Sequence, residues 1–215
     1  MACFNGKKLR IEIYGESHAE KIGVSVKGFP RFKFDETELK EFLARRKATT
    51  DVFSTSRKEP DKPVFTGVIN GEITGDFTAE IFNVDKKSKD YAALYGKPRP
   101  SHADYAWYLK DGTLDFSGGG RFSARLTAPF CVVGGILKQY LKTRGIEIES
   151  YVSSVGGVSG RSYKDGAIFA EEIRALRGEG FPSLDKKTEM LEEIRLAKSL
   201  GDSVGGTADC VVCGV

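Results

Sequence analysis

Strict alternation of apolar and polar residues marks several strands along the chain. The segment LRIEIY, residues 9–14, alternates in this way and predicts a strand that ends at Gly15. Residues 24–30, 146–158 and 207–215 contain further strand segments. The apolar pattern therefore predicts β-structure both near the N-terminus and in the C-terminal segment.

A β-hairpin is predicted over residues 63–83. Its two strand segments flank Asn70-Gly71, a dipeptide that readily takes the positive φ angles of a two-residue turn. This is the strongest short-range turn signal in the chain, so we expect the two segments to pair antiparallel.

Three segments have the spacing of amphipathic helices. In the first, Asp35 and Glu38 resemble a capping box, and the residues that follow form one apolar face. The second covers residues 127–145, and the third covers about 184–200. The apolar face of the first helix consists of Leu39, Phe42 and Leu43.

The second helix has start and stop signals of its own. Thr127 is a plausible N-cap, Pro129 lies in the first turn and Gly145 follows the end. The pair Gly134-Gly135 would weaken an isolated helix, and we expect another element to pack closely there. Residues 48–62 and 83–125 are expected to be mostly irregular, and loop tracts of this length are functional or flexible.

Composition limits the class of protein. The chain has 215 residues, of which 40% are hydrophobic and 29% charged, which is typical of a globular protein. No apolar run approaches the ~20 residues that cross a bilayer, and the N-terminal segment lacks the apolar stretch of a secretory signal. The net charge of +3 does not predict nucleic-acid binding, and the aromatic residues do not interleave with the arginines as RNA-binding patterns require.

The four cysteines lack the spacing of a disulfide framework, which favours a reducing cytoplasm. If residues 207–215 form a strand, Cys210 and Cys213 point to opposite faces and cannot chelate one metal ion. Neither histidine has the spacing of a metal-ligand motif, so no metal site is predicted.

The chain contains only two histidines, and each lies in a loop. His18 follows the first predicted strand, and His102 lies in RPSHADY, residues 99–105. Loop tips on a rigid sheet often carry catalytic groups, but a lone loop histidine can equally be a surface or locally hydrogen-bonded residue. Both interpretations remain open from the local sequence.

Arginines and lysines cluster in the same irregular tracts. Planar guanidinium groups suit bidentate binding of carboxylates and phosphates, although a solvated basic face is the alternative. The segment FSGGGRFSARLTAPF, residues 116–130, combines a glycine run, two arginines and hydroxyl residues ahead of a helix, an arrangement that favours anions. The clustered cations are Arg45, Arg46, Lys47, Arg57, Lys58, Arg99, Arg121 and Arg125.

Six ordered motifs together resemble the chorismate synthase family. They begin with Gly-Glu-Ser-His, followed by a TxRxEPD loop and by an Asn-x-Asp…Lys-Asp-Tyr segment. RPSHADY, GGGRFSARLT and a Gly-Asp-Ser-x-Gly-Gly turn complete the series. In this sequence the motifs are Gly15–His18, Thr55–Asp61, Asn83–Tyr91, Arg99–Tyr105, Gly118–Thr127 and Gly201–Gly206.

The resemblance implies a fold, a reaction and an assembly. It predicts an α+β fold, a β-α-β sandwich with helices enclosed between sheet layers, and a homotetramer for complete members. It implies anti-1,4 elimination of phosphate from 5-enolpyruvylshikimate 3-phosphate to give chorismate, with reduced FMN as cofactor. A partner that is a nucleic acid or a membrane is not expected.

The resemblance also assigns roles to individual residues. His18 would protonate the leaving phosphate, and His102 would protonate or hydrogen-bond the reduced flavin. Arg121, Ser123 and His102 match flavin-contacting positions. The positions that match substrate contacts are Ser17, Arg46, Arg99, Ser123, Ala124 and Arg125.

Several residues depart from the family pattern. Ala19 and Ser101 stand where glycines are usual, and Val52 stands where the family has a substrate-binding arginine. Phe122 and Leu126 replace the usual serine and glutamate.

Family members are longer, and their second half carries an Arg-His-Asp motif to which nothing in this chain aligns. Residues 1–215 are therefore expected to be the N-terminal part of a single chorismate synthase domain, inactive alone. The alternative is a non-catalytic anion-binding or assembly module on the same fold.

Overall fold

A computed structural model of the chain describes residues 2–46, 59–84, 96–113 and 119–215. Contacts divide these residues into two compact units. The first unit holds the described residues up to Leu137, and the second holds those from Lys138 onward. The prediction of a single domain over residues 1–215 stays a prediction.

An antiparallel sheet of six strands forms the base of the first unit. Its central path runs in the order β1-β2-β3-β6-β4, and β5 pairs with β6. Asn70 and Gly71 have φ angles of 50° and 75°, so the predicted two-residue turn joins β5 to β6. The strands are β1 (Ala2–Asn5), β2 (Arg10–Gly15), β3 (Lys21–Lys27), β4 (Phe32–Lys33), β5 (Pro63–Ile69) and β6 (Glu72–Phe82).

Alternation along these strands places one face of the sheet in a core. Ile22, Val24 and Val26 of β3 are fully buried, and Ile13 of β2 and Ile81 of β6 lie beside them in the sheet. This period of two is the pattern from which the sequence predicted the strands.

Three helices belong to or begin in the first unit: α1 (Glu36–Ala44), α2 (Asp104–Asp111) and α3 (Thr127–Lys142). The Asp35 carboxylate accepts hydrogen bonds from the amides of Thr37 and Glu38, at 2.7 and 3.0 Å, which confirms the predicted cap of α1. A Cβ atom at Gly135 of α3 would lie 2.7 Å from Leu39 of α1. The close approach expected at the glycine pair is therefore present.

The second unit has a three-stranded antiparallel sheet in the order β8-β7-β9. Its helices are α4 and α5, and its core is centred on Val155, Phe181 and Met190. The elements are β7 (Glu147–Val155), β8 (Val158–Ser159), α4 (Ala170–Ala175), α5 (Lys187–Ser199) and β9 (Gly206–Cys213).

The structure confirms the α+β class and the predicted strands, hairpin and helices, with two corrections. Thr127, predicted as the N-cap of α3, is instead its first residue, and its hydroxyl donates to the carbonyl of Ala124 at 2.5 Å. Residues 83–125, expected to be mostly irregular, contain α2. Its apolar residues Tyr105, Tyr108 and Leu109 are exposed, while the acidic residue Asp104 is buried, so the usual polarity pattern of a helix is reversed. None of the helices among the described residues is long and apolar enough to span a bilayer.

Candidate active site

The loop after β2 carries His18 and is held from two sides. Ser17 is 1% exposed, and its amide donates to the carbonyl of Gly120 at 3.3 Å. The side-chain amide of Asn83, at the end of β6, donates to the carbonyls of Glu16 at 3.3 Å and Ala19 at 2.9 Å. The half-buried His18 therefore lies in a loop that is hydrogen-bonded to two other segments.

His102 follows a tight turn. Its amide donates to the carbonyl of Arg99 at 3.3 Å, Pro100 occupies the second position, and Ser101 has a φ of +58°. Proline followed by a residue of positive φ is the arrangement of a type II turn, in which glycine is preferred at the third position. This turn explains why the family pattern has a glycine at the position that Ser101 occupies in this chain.

The strain at Ser101 leads to a stability prediction. Ser101→Gly is expected to raise the free energy of unfolding by about 1 kcal/mol, because glycine takes a positive φ without the clash of a Cβ atom. Ser101→Ala keeps the Cβ atom and is the matched control, with little change expected. Urea unfolding of the three proteins measures the difference, and equal midpoints for Ser101→Gly and the parent would contradict a strained turn.

A buried carboxylate lies beside His102. The Nδ1 atom of His102 is 2.6 Å from Oδ1 of Asp104, the first residue of α2. Arg99 donates to both carboxylate oxygens through Nε and Nη2, each at 2.7 Å, and through its backbone amide at 3.1 Å. Hydrogen bonds from Arg99 hold the pKa of the Asp104 carboxyl well below its usual range despite its burial. Its contribution to folding stability is therefore present above about pH 4 and is lost as the pH falls below that value.

A second buried ion pair is linked through Asn83 to the His18 loop. Arg125 pairs with Asp61 through Nη1, donates from Nε to Oδ1 of Asn83 at 3.0 Å, and lies 3.8 Å from Oε2 of Glu59. The side chains of Arg125, Asp61 and Glu59 are each 6% exposed. Because Asn83 also holds the His18 loop, Arg125 connects that loop to the Glu59–Asp61 segment.

Arg46, just after the end of α1, reaches the same carboxylate. Its Nε atom lies 3.3 Å from Oδ2 of Asp61, and its Nη1 atom donates to Oγ1 of Thr127 at 3.0 Å. The Nη1 atom also lies 3.4 Å from Sγ of Cys131. Two of the predicted substrate-binding arginines are thus paired with one buried aspartate.

A cleft of ≈ 600 Å³ opens beside these loops. The guanidinium of Arg121 lies 4.4 Å from the ring centre of Trp107, and Phe122 packs edge-on against both Trp107 and His102. Within the described part of the chain, the buried Nε of Arg121 has no hydrogen-bond partner and the residue forms no ion pair. The lining residues are Ile13, Gly15, Glu16, Ala19, Trp107, Arg121, Phe122, Ser123, Leu126, Thr127 and Phe130.

Three of the departures from the family pattern line this cleft, namely Ala19, Phe122 and Leu126. Phe122 and Leu126 make its wall more apolar than the serine and glutamate of the family pattern would. Of the other two departures, Ser101 lies in the turn before His102, and Val52 lies outside the described residues.

The structure brings most of the predicted site residues together in the first unit. Ser123 lines the cleft, and its hydroxyl accepts a hydrogen bond from the amide of Arg125 at 3.2 Å; Ala124 begins the 3₁₀ turn that follows. The two histidines are not among the residues that line the cleft. The ring of His102 packs against that of Phe122, which does line it. The substrate and flavin contacts assigned by the resemblance stay predictions.

Sequence reasoning missed the roles of several residues. It placed Asp61, Asn83 and Asp104 in motifs without a function, and it did not single out Trp107. The sequence contained only a weak indication for Asp61 and Asp104, because each lies near a candidate arginine or histidine. It did not show that these carboxylates are buried. Motif residues Thr55, Arg57 and Asp85–Tyr91 lie outside the described residues, and the Gly201–Gly206 turn joins α5 to β9 in the second unit.

No metal site is formed by the described residues, in which no cluster of three His, Cys, Asp or Glu side chains has ligand geometry. The four cysteines are free thiols. Cys210 and Cys213 both lie in β9, three positions apart, and their side chains therefore belong to opposite faces of the strand.

Comparison with known proteins gives a consistent result. A model of the chorismate synthase family matches residues 9–215. The chain is 37% identical to the chorismate synthase of Lancefieldella parvula, covering 98% of this chain and 60% of that protein. It is 37% identical to the Pyrococcus abyssi enzyme and 34% identical to that of Methanobrevibacter smithii, covering 58% and 59% of their lengths.

A solved chorismate synthase crystal structure resembles the fold, with a TM-score of 0.72 at 24% identity over 97% of this chain and 58% of that one. The chain thus spans about 60% of the length of the curated relatives it matches. With the family model covering nearly every residue, the chain belongs to the chorismate synthase family.

Proposed function

We propose that this chain carries the two-histidine part of a chorismate synthase active site. The reaction is the anti-1,4 elimination of phosphate from 5-enolpyruvylshikimate 3-phosphate, which gives chorismate. The supporting observation is that residues 119–126 contact both histidine loops. Ser17 donates to Gly120, and the ring of His102 packs against Phe122.

The cleft suits the reduced FMN that the family relationship implies. Aromatic side chains and one guanidinium group in a cavity of ≈ 600 Å³ match a planar ring system that carries a phosphate. Trp107, Phe122 and Phe130 would contact the ring, and Arg121 would contact an anionic group. When bound, reduced FMN supplies electron density to the C–O bond that breaks.

The substrate carries two carboxylates and a phosphate, so its site requires cations. Among the predicted arginines, Arg99 pairs with the buried Asp104, and Arg46 and Arg125 both pair with the buried Asp61, which balances part of their charge before any ligand binds. Arg121 is in the cleft and outside any ion pair of the described residues. Arg121 therefore supplies the cation for the anionic group of the cofactor, and Arg46, Arg99 and Arg125 remain the proposed substrate contacts.

The histidines supply the protons of the reaction in this proposal. His18, in the loop between Ser17 and Ala19, donates to the departing phosphate oxygen, and His102 donates a hydrogen bond or proton to the bound cofactor. Histidine is the side chain that most often serves as a general acid, which suits both roles. In a protein of the relatives' full length we also propose assembly as a homotetramer.

Turnover tests the proposal in a full-length chimera, defined here as residues 1–215 followed by the part of the Pyrococcus abyssi relative that the chain does not match. With reduced FMN and substrate under anaerobic conditions, the chimera is expected to form chorismate and the 215-residue chain is expected to form none. A micromolar titration should show weak FMN binding by the 215-residue chain. In the chorismate synthase family the second half of the chain is expected to supply much of the FMN site, so stoichiometric binding by residues 1–215 would contradict that expectation.

Substrate binding tests the proposal without the chimera. Substrate at millimolar concentration is expected to shift the imidazole NMR signals of His18 in the 215-residue chain. A folded chain whose two histidine signals both remain unchanged would contradict the proposal. Binding by the chain together with a folded chimera that forms no chorismate would favour the anion-binding module instead.

A further inference from the structure

We propose that Asp104 is a positioning residue for His102: it fixes the proton on Nδ1, so that Nε2 is the ring nitrogen that exchanges a proton with a ligand. The inference rests on the proposed role of His102 in the elimination reaction. It adds a residue to which neither the motif resemblance nor the family match assigns a function.

The first step is the geometry at Nδ1. The Oδ1 atom of Asp104 lies 2.6 Å from Nδ1, and Nη2 of Arg99 lies 3.2 Å from the same nitrogen. Nδ1 cannot donate to the carboxylate and accept from the guanidinium at once. The contact with the carboxylate is the shorter of the two, and an ionised carboxylate cannot donate a hydrogen bond. Nδ1 therefore carries a proton, which it donates to Asp104.

The second step is that the carboxylate itself is immobile. Its side chain is 3% exposed, and Arg99 holds one oxygen through Nε and the other through Nη2, each at 2.7 Å. The amide of Arg99 adds a third hydrogen bond to Oδ2 at 3.1 Å. An acceptor fixed in this way determines both the tautomer and the orientation of the imidazole that donates to it.

The third step concerns the rest of the imidazole. The ring of Phe122 packs edge-on against that of His102, with centres 6.4 Å apart and planes at 81°. His102 is 27% exposed, and within the described residues Nε2 makes no hydrogen bond. Since Nδ1 is committed to Asp104, a ligand beside Phe122 would exchange its proton with Nε2.

Arg99 has a different role in this arrangement from the one the motif resemblance predicts. Its Nε, its Nη2 and its backbone amide all donate to Asp104, so it acts first as the support of the carboxylate. Substrate contact through the remaining N–H groups of Arg99 stays compatible with that role.

Imidazole ¹⁵N NMR of the 215-residue chain tests the inference directly. The chain has only two histidines, so the variants His18→Gln and His102→Gln assign every signal. At a pH where His102 is neutral, its Nδ1 is expected to show the chemical shift of a protonated nitrogen and Nε2 that of an unprotonated one. The opposite assignment in the unmodified chain would overturn the inference without any variant at position 104.

Two matched variants separate positioning from general support of the loop. Asp104→Ala is expected to shift His102 towards the tautomer protonated at Nε2, whereas Asp111→Ala removes an exposed carboxylate from the same helix and is expected to retain the proton on Nδ1. Unchanged signals of His18 report that each variant is folded. No shift in Asp104→Ala, or an equal shift in both variants, would overturn the inference.

In the full-length chimera, Asp104→Ala is expected to lower kcat about 10- to 100-fold with little change in KM, as for the loss of other partners that orient a functional histidine. A chimera that forms no chorismate would count against the proposed function, while the tautomer measurement would still decide the role of Asp104. A change in KM alone, with an unchanged tautomer, would overturn the positioning role.

Discussion

Alanine at His18 or at His102 is expected to lower the kcat of chorismate formation at least ~10-fold in the full-length chimera. General acids contribute about 10²–10⁴ to a rate, so each loss is expected to fall near or within that range. Substrate affinity should change less, because the proposed arginine contacts to the substrate remain. Anaerobic steady-state assays with reduced FMN measure both parameters.

The control for the histidine variants is Arg10→Ala, at the opposite end of β2 from the His18 loop and on an exposed side chain. It is expected to keep the parental rate. Parental turnover in both histidine variants would refute the acid roles. A loss of turnover in only one of the two variants would be consistent with the family reaction, but one of the two proton transfers would then need a different donor.

Replacement of Arg125 by methionine is expected to cost about 3–5 kcal/mol of the free energy of unfolding. Asp61 and Glu59 are each 6% exposed, and removal of the guanidinium leaves their charges buried without that cation. Arg46 still contacts Asp61 at 3.3 Å and relieves part of the penalty. Urea unfolding of the 215-residue chain, followed by circular dichroism, measures the change.

Arg31→Met is the matched control for Arg125→Met, since Arg31 pairs with Glu72 at 2.7 Å but its side chain is 74% exposed. An exposed pair is expected to contribute little to stability, because solvent screens its charges. Arg125→Lys, which keeps the charge, provides a milder variant should the methionine variant not fold. Equal losses in Arg125→Met and Arg31→Met would contradict a structural role for the buried pair.

A double variant separates charge burial from packing. Asp61→Leu combined with Arg125→Met removes both charges and is expected to recover part of the stability lost in Arg125→Met alone. The double variant should also loosen the His18 loop, because Asn83 loses the donor to its Oδ1 atom. Faster hydrogen exchange at Ser17 and Ala19, relative to the Arg31→Met control, measures that loosening.

Much of the fold was predictable because its signals are local. The period of two in LRIEIY, the Asn70-Gly71 turn and the Asp35 cap each depend on a few neighbouring residues. Helix α2 was missed for a physical reason. Its apolar residues run without a gap from Tyr105 to Leu109, so the segment lacks the spacing of three and four residues from which an amphipathic helix is predicted.

The sequence by itself determined the family, through ordered motifs that need no three-dimensional information, and it singled out the two histidines as the residues to test. Only the tertiary structure decided which charges meet. Arg125 and Asp61 are 64 positions apart in the chain, and Asn83 lies 42 positions from Arg125. Such contacts form only when β6, the His18 loop and the residues ahead of α3 pack together.

The same holds for His102, although its partners are close in sequence. Arg99, His102 and Asp104 are adjacent in the motif, yet the sequence does not show that the carboxylate is buried or that it faces Nδ1. Those facts depend on a turn with a positive φ at Ser101 and on the start of α2 at Asp104. Residue types were thus determined by the sequence, while burial and orientation, which set their chemistry, were determined by packing.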